Sequence, residues 1–424
     1  MLPLLLSAAA VIGAAALFIA GNMLLGTTLA LSLAASSLHS GAIGLILVQY
    51  SVGFVLGTLL GPRLIRRVGH IRSFAAFAAI GCSAALVHAA LYDPWLWAIL
   101  RLISGACGAI LLVVLESWIN HYATPATRGS LLGAYMLSYY LAGASGQWLV
   151  GLAGPENFRS YLLAAGLLVL ASVPLTLTRG AAPAPGEARR IPNARMRRAA
   201  PLSFYGCFIG GFSMSAFFSL APVHATRVGF DAQFVAGYMA AAVLACMMFQ
   251  WPFGRLADRH DRRRVIIGIA TLTAGAAVMI GLLGEHSATA LTVTTMLYTG
   301  LLASLYPACL ALANDQLPGH NLVGVNTALL LTYGLGQITG PILIGILMAL
   351  SGPQALYYGV ALALLLFVIY ALWRLQQQPP IELIPHEPFV PNAAVTPVIS
   401  ELDPRAETPV LDEAANPDEP VRSE

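Results

Sequence analysis

Gly254-Arg255-Leu256-Ala257-Asp258-Arg259-His260-Asp261-Arg262-Arg263-Arg264 packs seven formally charged side chains into eleven residues, between apolar stretches at 232–253 and 265–284. Each flank is about 20 residues long, the length a helix needs to cross ~30 Å of hydrocarbon at 1.5 Å per residue. A short charged connection between two such stretches reads as the turn between two membrane-spanning helices. The rest of the chain extends the pattern. It is 424 residues long, 58% hydrophobic and only 10% charged, against roughly 25% charged in ordinary soluble domains.

Twelve such stretches stand between polar breaks, at 3–33, 41–63, 73–91, 95–119, 129–153, 159–178, 203–224, 232–253, 265–284, 288–312, 322–348 and 354–375. The first lacks a basic leader region and runs on past Ala30, so it reads as a span rather than a cleaved signal. All 22 basic residues are arginine, and the net charge of +3 gives no basic field for nucleic acid. Cys82, Cys107, Cys207, Cys246 and Cys309 each lie within an apolar stretch without metal-ligand spacing, which fits small reduced packing residues. No cofactor or metal is expected.

Arginine position predicts orientation, because cytoplasmic loops retain basic charge during insertion. Arg63, Arg66, Arg67 and Arg72 flank the second connection, Arg128 the fourth, and Arg255 to Arg264 the eighth. Arg179, Arg189, Arg190, Arg195, Arg197 and Arg198 fill a central segment, and the opposite loops hold only Arg159 and Arg227. Both termini are therefore expected in the cytoplasm. The segment 179–202 is proline-rich and basic and reads as a linker between a half at 1–178 and a half at 203–376. Residues 377–424 hold ten prolines and ten acidic residues, too polar to bury a core, and are expected to be a disordered cytoplasmic tail. Thr-Pro-Val-x-x-Glu occurs there twice, from Thr396 and from Thr408.

An internal repeat ties the halves together. A shift of 194 positions aligns the glycine-rich stretch from Tyr139 with that from Tyr333, pairing Gly146 with Gly340, Gly151 with Gly345 and Asn120 with Asn314. A shift of 192 pairs Leu64 and Arg67 with Leu256 and Arg259. Two pseudo-symmetric six-helix halves explain both matches. The third and sixth helices of each half carry almost no amide or charged groups, His88 excepted, and are expected to face lipid. Asn22, Gln49, Arg101, Glu116, Gln147, Gln250, Asn326 and Gln337 lie in the others and need protein or water as partners.

The loop that opens this section resembles the Gly-x-x-x-Asp-Arg-x-Gly-Arg-Arg signature of the major facilitator superfamily, with Asp261 in place of the usual glycine. In the first-half copy, Gly61-Pro-Arg-Leu-Ile-Arg66-Arg67-Val-Gly69, Arg66 falls where the aspartate would stand. Arg101-Leu-Ile-Ser-Gly105-Ala-Cys-Gly108 is similar to a stretch that many members carry in the fourth span, where the arginine is implicated in proton transfer. Gly336-x-x-x-Gly340-Pro341 is similar to part of an exchanger signature, which in the family belongs to the fifth span; there this chain has Gln147 for the proline. Asn22, the Gln49–Gly57 stretch and Glu116-Ser-Trp-Ile-Asn120 resemble a bacterial inner-membrane subgroup with largely unassigned substrates. The resemblance implies an all-α membrane protein of major-facilitator type, working by alternating access.

Candidate residues follow. At mid-depth, Asn22, Gln49, Tyr50, Arg101, Tyr139, Tyr140, Tyr298, Tyr306, Tyr333 and Gln337 are candidates to line a substrate cavity. Arg101 and Glu116 are candidates for proton coupling; they lie about 22 Å apart along one helix and form no salt bridge. Glu116 has a second reading, a closing ion pair with Arg66 or Arg67. Arg66, Arg67, Gly254, Asp258, Arg259 and Arg262 are candidates for a cytoplasmic gate, with Asp315 as partner of Arg259 or Arg262. No acylation, zinc-hydrolase or nucleotide-binding motif accompanies them, so an enzyme or an ATP-driven pump is not expected. The expected partners are a small-molecule substrate, protons and the lipid bilayer, with the chain acting as a monomer. Proton-coupled export of a small organic solute is the favoured activity. Facilitated or proton-coupled uptake is the alternative, and a transport-incompetent membrane sensor is the alternative of another class.

Overall fold

The computed structural model describes residues 2–123, 127–154, 158–177, 193–317 and 322–377, and every regular element among them is an α-helix. In chain order these are α1 (Leu2–Ala34), α2 (Ser40–Leu47), α3 (Gln49–Val68), α4 (His70–Ala90), α5 (Pro94–Tyr122), α6 (Arg128–Ala153), α7 (Phe158–Leu170) and α8 (Ser172–Thr176). They continue as α9 (Asn193–Ala199), α10 (Pro201–Arg227), α11 (Ala232–Arg259), α12 (Arg262–Leu283), α13 (Ala288–Gln316), α14 (Leu322–Ser351) and α15 (Ala355–Gln377). α2 with α3 makes the second span and α7 with α8 the sixth. Eleven units among the described residues are long and apolar enough to cross a membrane. α6 has the length, 26 residues, but its glycines, serines, tyrosines and Gln147 dilute the apolar run.

The two divided spans have local causes. At the α2–α3 junction the Gln49 side chain donates Nε2–H to the Leu45 carbonyl at 3.2 Å, and a side chain entering the helical ladder bends a helix. The α7–α8 junction at Ala171 precedes Pro174, whose ring has no N–H to offer the carbonyl one turn back. The fourth, eighth and tenth spans begin on side-chain caps. Asp93 Oδ1 accepts from the Trp95 and Leu96 amides at 2.9 and 2.8 Å, Asp231 Oδ1 from Phe234 at 2.7 Å, and Ser287 Oγ from Ala290 at 3.2 Å. These caps occupy the end of the bundle opposite the arginine-rich loops.

α1–α8 and α10–α15 form the two halves. α1 runs along α6, and α10 runs along α14 in the same way. A Cβ on Gly146 would collide with the Ala20 carbonyl of α1, and one on Gly340 with the Phe212 carbonyl of α10. These are the two glycines paired by the 194-residue shift, so the repeat is carried by the same helix crossing in each half. The halves meet where α1 touches α10, α2 touches α14 and α6 touches α11.

α4, α7 with α8, α12 and α15 lie at the periphery, α4 against α5 and α7, α12 against α13 and α15. They expose Ile80, Leu86, Leu162, Leu272, Leu282, Leu362 and Ile369. His88, the polar exception on α4, turns inward: its Nδ1 sits 2.7 Å from the Ala84 carbonyl and its ring packs on Trp97. Of the expected linker, residues 179–192 lie outside the described residues and 193–199 form α9. The expected tail beyond Gln377, with both Thr-Pro-Val patterns, lies outside them as well.

Candidate functional site

A cavity of about 200 Å³ lies between the halves, walled by α1, α3, α5 and α6 from one side and by α10, α11, α13 and α14 from the other. Asn22, Tyr50, Arg101, Tyr139, Tyr140, Tyr306, Tyr333 and Gln337 all line it. Two expected members do not. Gln49 is occupied at the helix junction described above, and Tyr298 is drawn into the second half, where its hydroxyl donates to the Ser213 carbonyl at 3.3 Å and its ring packs on Phe217. Met23, Ser51, Gln147, Met214, Ser215, Phe218, Ser219, Cys246 and Gln250 complete much of the wall. Small and apolar residues of this kind carry no sequence signal that separates a cavity wall from a helix contact; Gln147 and Gln250 were legible only as amides in need of partners.

Both amides are hydrogen-bonded at the cavity wall. Gln250 Nε2 donates to the Tyr140 hydroxyl at 2.6 Å and thereby bridges the halves, while Thr27 donates to Gln147 Oε1 at 2.6 Å within the first half. Tyr306 and Tyr333 meet edge to face with centroids 5.1 Å apart.

Arg101 is placed by a tight crossing of α3 and α5. A Cβ on Gly105 would collide with the Tyr50 carbonyl, and one on Gly53 with the Leu102 carbonyl, so the backbones touch and Arg101 comes to rest on the Tyr50 ring. The guanidinium carbon lies 4.4 Å from the ring centroid. Arg101 is 8% exposed and its Nε has no hydrogen-bond partner. A desolvated cation–π contact contributes about 2 kcal/mol, short of the several kcal/mol a buried cation loses on leaving water.

Glu116 is fully buried, about 22 Å further along α5 and outside the cavity wall. The Tyr135 hydroxyl of α6 donates to its Oε1 at 3.4 Å. The alternative ion pair with Arg66 or Arg67 is not formed: both arginines are exposed on the last turn of α3 and make no ion pair among the described residues, whereas Glu116 faces α6.

In the second-half loop, Arg262 carries the network. Its Nη1 donates to both carboxylate oxygens of Asp315 at 2.8 Å, and Nη2 reaches Asp258 Oδ1 at 3.3 Å, joining the ends of α11, α12 and α13. Arg262 and Gly254 are buried, while Arg259 is exposed. The departure at Asp261 has a backbone explanation. Its first-half counterpart Gly69 has φ of 95°, which demands glycine, whereas Asp261 has φ of −55°, open to any residue. Asp261 Oδ1 caps α12 by accepting from the Arg263 amide at 2.9 Å and from Arg263 Nε at 3.1 Å.

Partial burial raises the Asp261 carboxyl, but the Arg263 hydrogen bonds and the Arg263 and Arg264 charges outweigh it, holding the group below the usual carboxylate range. Its stabilisation is therefore fully present above the unfolded value of about 3.9 and is lost as pH falls through the lower folded value. Asp261→Ala is expected to cost about 1 kcal/mol at neutral pH, read as a lower thermal transition in detergent, with the difference from the parent protein vanishing in strong acid.

The end opposite the arginine loops is sealed. Arg227, the last residue of α10, donates Nη1 to Ser40 Oγ and Nη2 to the Leu38 carbonyl at 2.8 Å, latching the second half to the first. Beneath it a Cβ on Gly44 would collide with the Pro341 carbonyl, and one on Gly345 would lie 2.9 Å from the Ser40 carbonyl.

Two six-helix halves around a central cavity, sealed at one end by contacts between the halves, define a membrane transporter. The Major Facilitator Superfamily model matches residues 11–251 and 239–406. An uncharacterized MFS-type transporter of Yersinia enterocolitica is 29% identical over 369 residues, 85% of this chain and 94% of that protein. One of Enterobacter sp. is 30% identical over 360 residues, 84% and 92%. Among solved structures, the nucleoside transporter NupG superposes with a TM-score of 0.71 at 12% identity, over 89% of this chain and all of that one, 100%. An auto-inhibited POT family peptide transporter gives 0.73 at 14% identity, over 92% and 99%. The chain belongs to the Major Facilitator Superfamily: it is a multi-pass membrane protein of a family whose members carry out secondary transport.

Proposed function

We propose that the chain exports a small organic solute across the bacterial inner membrane by alternating access, coupled to protons. The observation that supports this reading is the cavity between the halves, lined from both sides and closed at one end by contacts that can part as the halves rock. The arginine-rich end is the cytoplasmic one, because basic loops are retained there, and both termini lie on that side. The Arg227 latch then closes the outer side, and the Arg262–Asp315–Asp258 network serves the inner gate.

Glu116 is the proton acceptor in this reading, being the one acidic side chain fully buried among the described residues. A carboxylate held away from water is sensitive to small changes in its surroundings as helices move. The test is flux in proteoliposomes of known orientation with an imposed pH gradient. Export predicts that a gradient acid on the outer side drives solute outward, and that Glu116→Gln abolishes the response to the gradient while leaving exchange of solute for solute. Accumulation of solute on the cytoplasmic side under the same gradient would establish uptake instead.

A further inference from the structure

The cavity carries charge of one sign. Among the described residues that line it, Arg101 is the one charged side chain; no aspartate or glutamate is present to neutralise it. A cation placed in a transporter cavity for packing alone would be expected to meet a carboxylate. Here the nearest aromatic, Tyr50, covers one face of the guanidinium at 4.4 Å, and Nε has no hydrogen-bond partner. A guanidinium stacked on a ring keeps its donor edge free, and that edge matches the two oxygens of a carboxylate in parallel hydrogen bonds.

The rest of the wall suits the remainder of such a molecule. Met23, Met214 and Phe218 offer apolar and polarisable surface, Tyr139 and Tyr306 offer ring faces, and the volume of about 200 Å³ admits a compact body. We infer that the solute is a small organic monocarboxylate with an apolar or aromatic body, its carboxylate held by Arg101. The inference rests on the transport reading above and names the substrate class for the same site.

The test uses the full-length protein in lipid nanodiscs and three sets of near-isosteric probes: benzoate, benzamide and benzylamine; phenylacetate, phenylacetamide and phenethylamine; hexanoate, hexanamide and hexylamine. At neutral pH at least one carboxylate is expected to bind about tenfold or more tightly than its amide and amine, since a hydrogen bond to a charged group is worth about that factor or more. Arg101→Gln is expected to remove the preference by weakening the carboxylate and leaving the amide within about twofold. Arg101→Lys, which keeps the charge and loses the two-pronged geometry, should retain part of it. Should Arg101→Gln fail to fold, selectivity in the parent protein and its partial loss in Arg101→Lys decide the matter, and undiminished selectivity in Arg101→Lys overturns the two-pronged site.

Amides or amines binding as tightly as the carboxylates, no binding of any carboxylate, or unchanged selectivity in the folded glutamine variant would each overturn the inference. Counterflow of the same probes in proteoliposomes separates this failure from that of the transport reading. Flux of amides or amines without carboxylates sinks the carboxylate site and leaves transport standing; carboxylate binding without flux of any probe sinks transport and leaves the site.

Discussion

Gly44→Leu is expected to abolish solute flux while leaving the protein folded. Gly44 sits in the seal at the end opposite the arginine loops, where α2 lies so close to α14 that even a Cβ would strike the Pro341 carbonyl. A flexible side chain opposite could give way, but backbone of a packed helix cannot. Overpacking a tight contact costs about 3 kcal/mol, and a penalty confined to the closed state shifts the balance between open and closed by about a hundredfold. In the alternating-access reading α2 and α14 separate when this end opens, and the open state accepts the leucine. The variant should express and melt cooperatively, while a thiol introduced by Gly41→Cys, beside the seal, becomes freely labelled from outside. Normal flux with an unlabelled thiol would show that the contact does not gate the cavity.

Asp315→Asn should have the second largest effect, this time on stability. Arg262 is buried, and Asp315 holds it by two hydrogen bonds of 2.8 Å, against a longer contact of 3.3 Å to Asp258. Asp315→Asn removes the nearer counter-charge of a buried cation and leaves only the longer contact to Asp258, at a cost of about 3 kcal/mol. The longer contact predicts that Asp258→Asn costs less. Replacing both partners, Arg262→Met with Asp315→Leu, removes the desolvation penalty together with the attraction, so most of the stability should return. Thermal unfolding followed with a thiol-reactive dye reads all four proteins, because Cys107, Cys207, Cys246 and Cys309 are buried in the native state. A double replacement as unstable as Asp315→Asn would mean that packing, rather than charge, holds the three helix ends.

The architecture was legible in the sequence because in a membrane two strong constraints act at once. Backbone groups must be satisfied internally, which makes every span a helix of predictable length, and arginine placement sorts the loops. The repeat was legible for a further reason: Gly146 and Gly340 are each pressed against a neighbouring backbone, so both copies had to keep glycine. The same argument explains where the two loop copies diverge. Gly69 needs a positive φ and is glycine; Asp261 does not, and supplies a helix cap instead.

Site residues were legible where polarity in an apolar span singled them out. Eight of the expected cavity residues line the wall, Gln49 and Tyr298 being the exceptions. Polarity says that a side chain needs a partner, not which partner it finds: Gln49 finds the Leu45 carbonyl and Tyr298 the Ser213 carbonyl. Helix rotation by a few tens of degrees decides between cavity and interior, and single-residue polarity does not encode it. The Arg227 latch was missed for the opposite reason. Read only as a rare basic residue on the outer loops, it gave no sign that Ser40 and Leu38, about 190 positions earlier, would be its partners.

Alternating access makes one demand that no static arrangement of helices can meet: a single point in the cavity must be reachable from both sides. Ser219 lines that cavity and is partly exposed to it. With the native cysteines replaced, Ser219→Cys in sealed vesicles of known orientation should be labelled by a membrane-impermeant thiol reagent added to either side. The added Gly44→Leu substitution should restrict labelling to the outer side. Labelling of Ser219→Cys from one side only, unchanged by Gly44→Leu, would contradict a cavity that opens alternately.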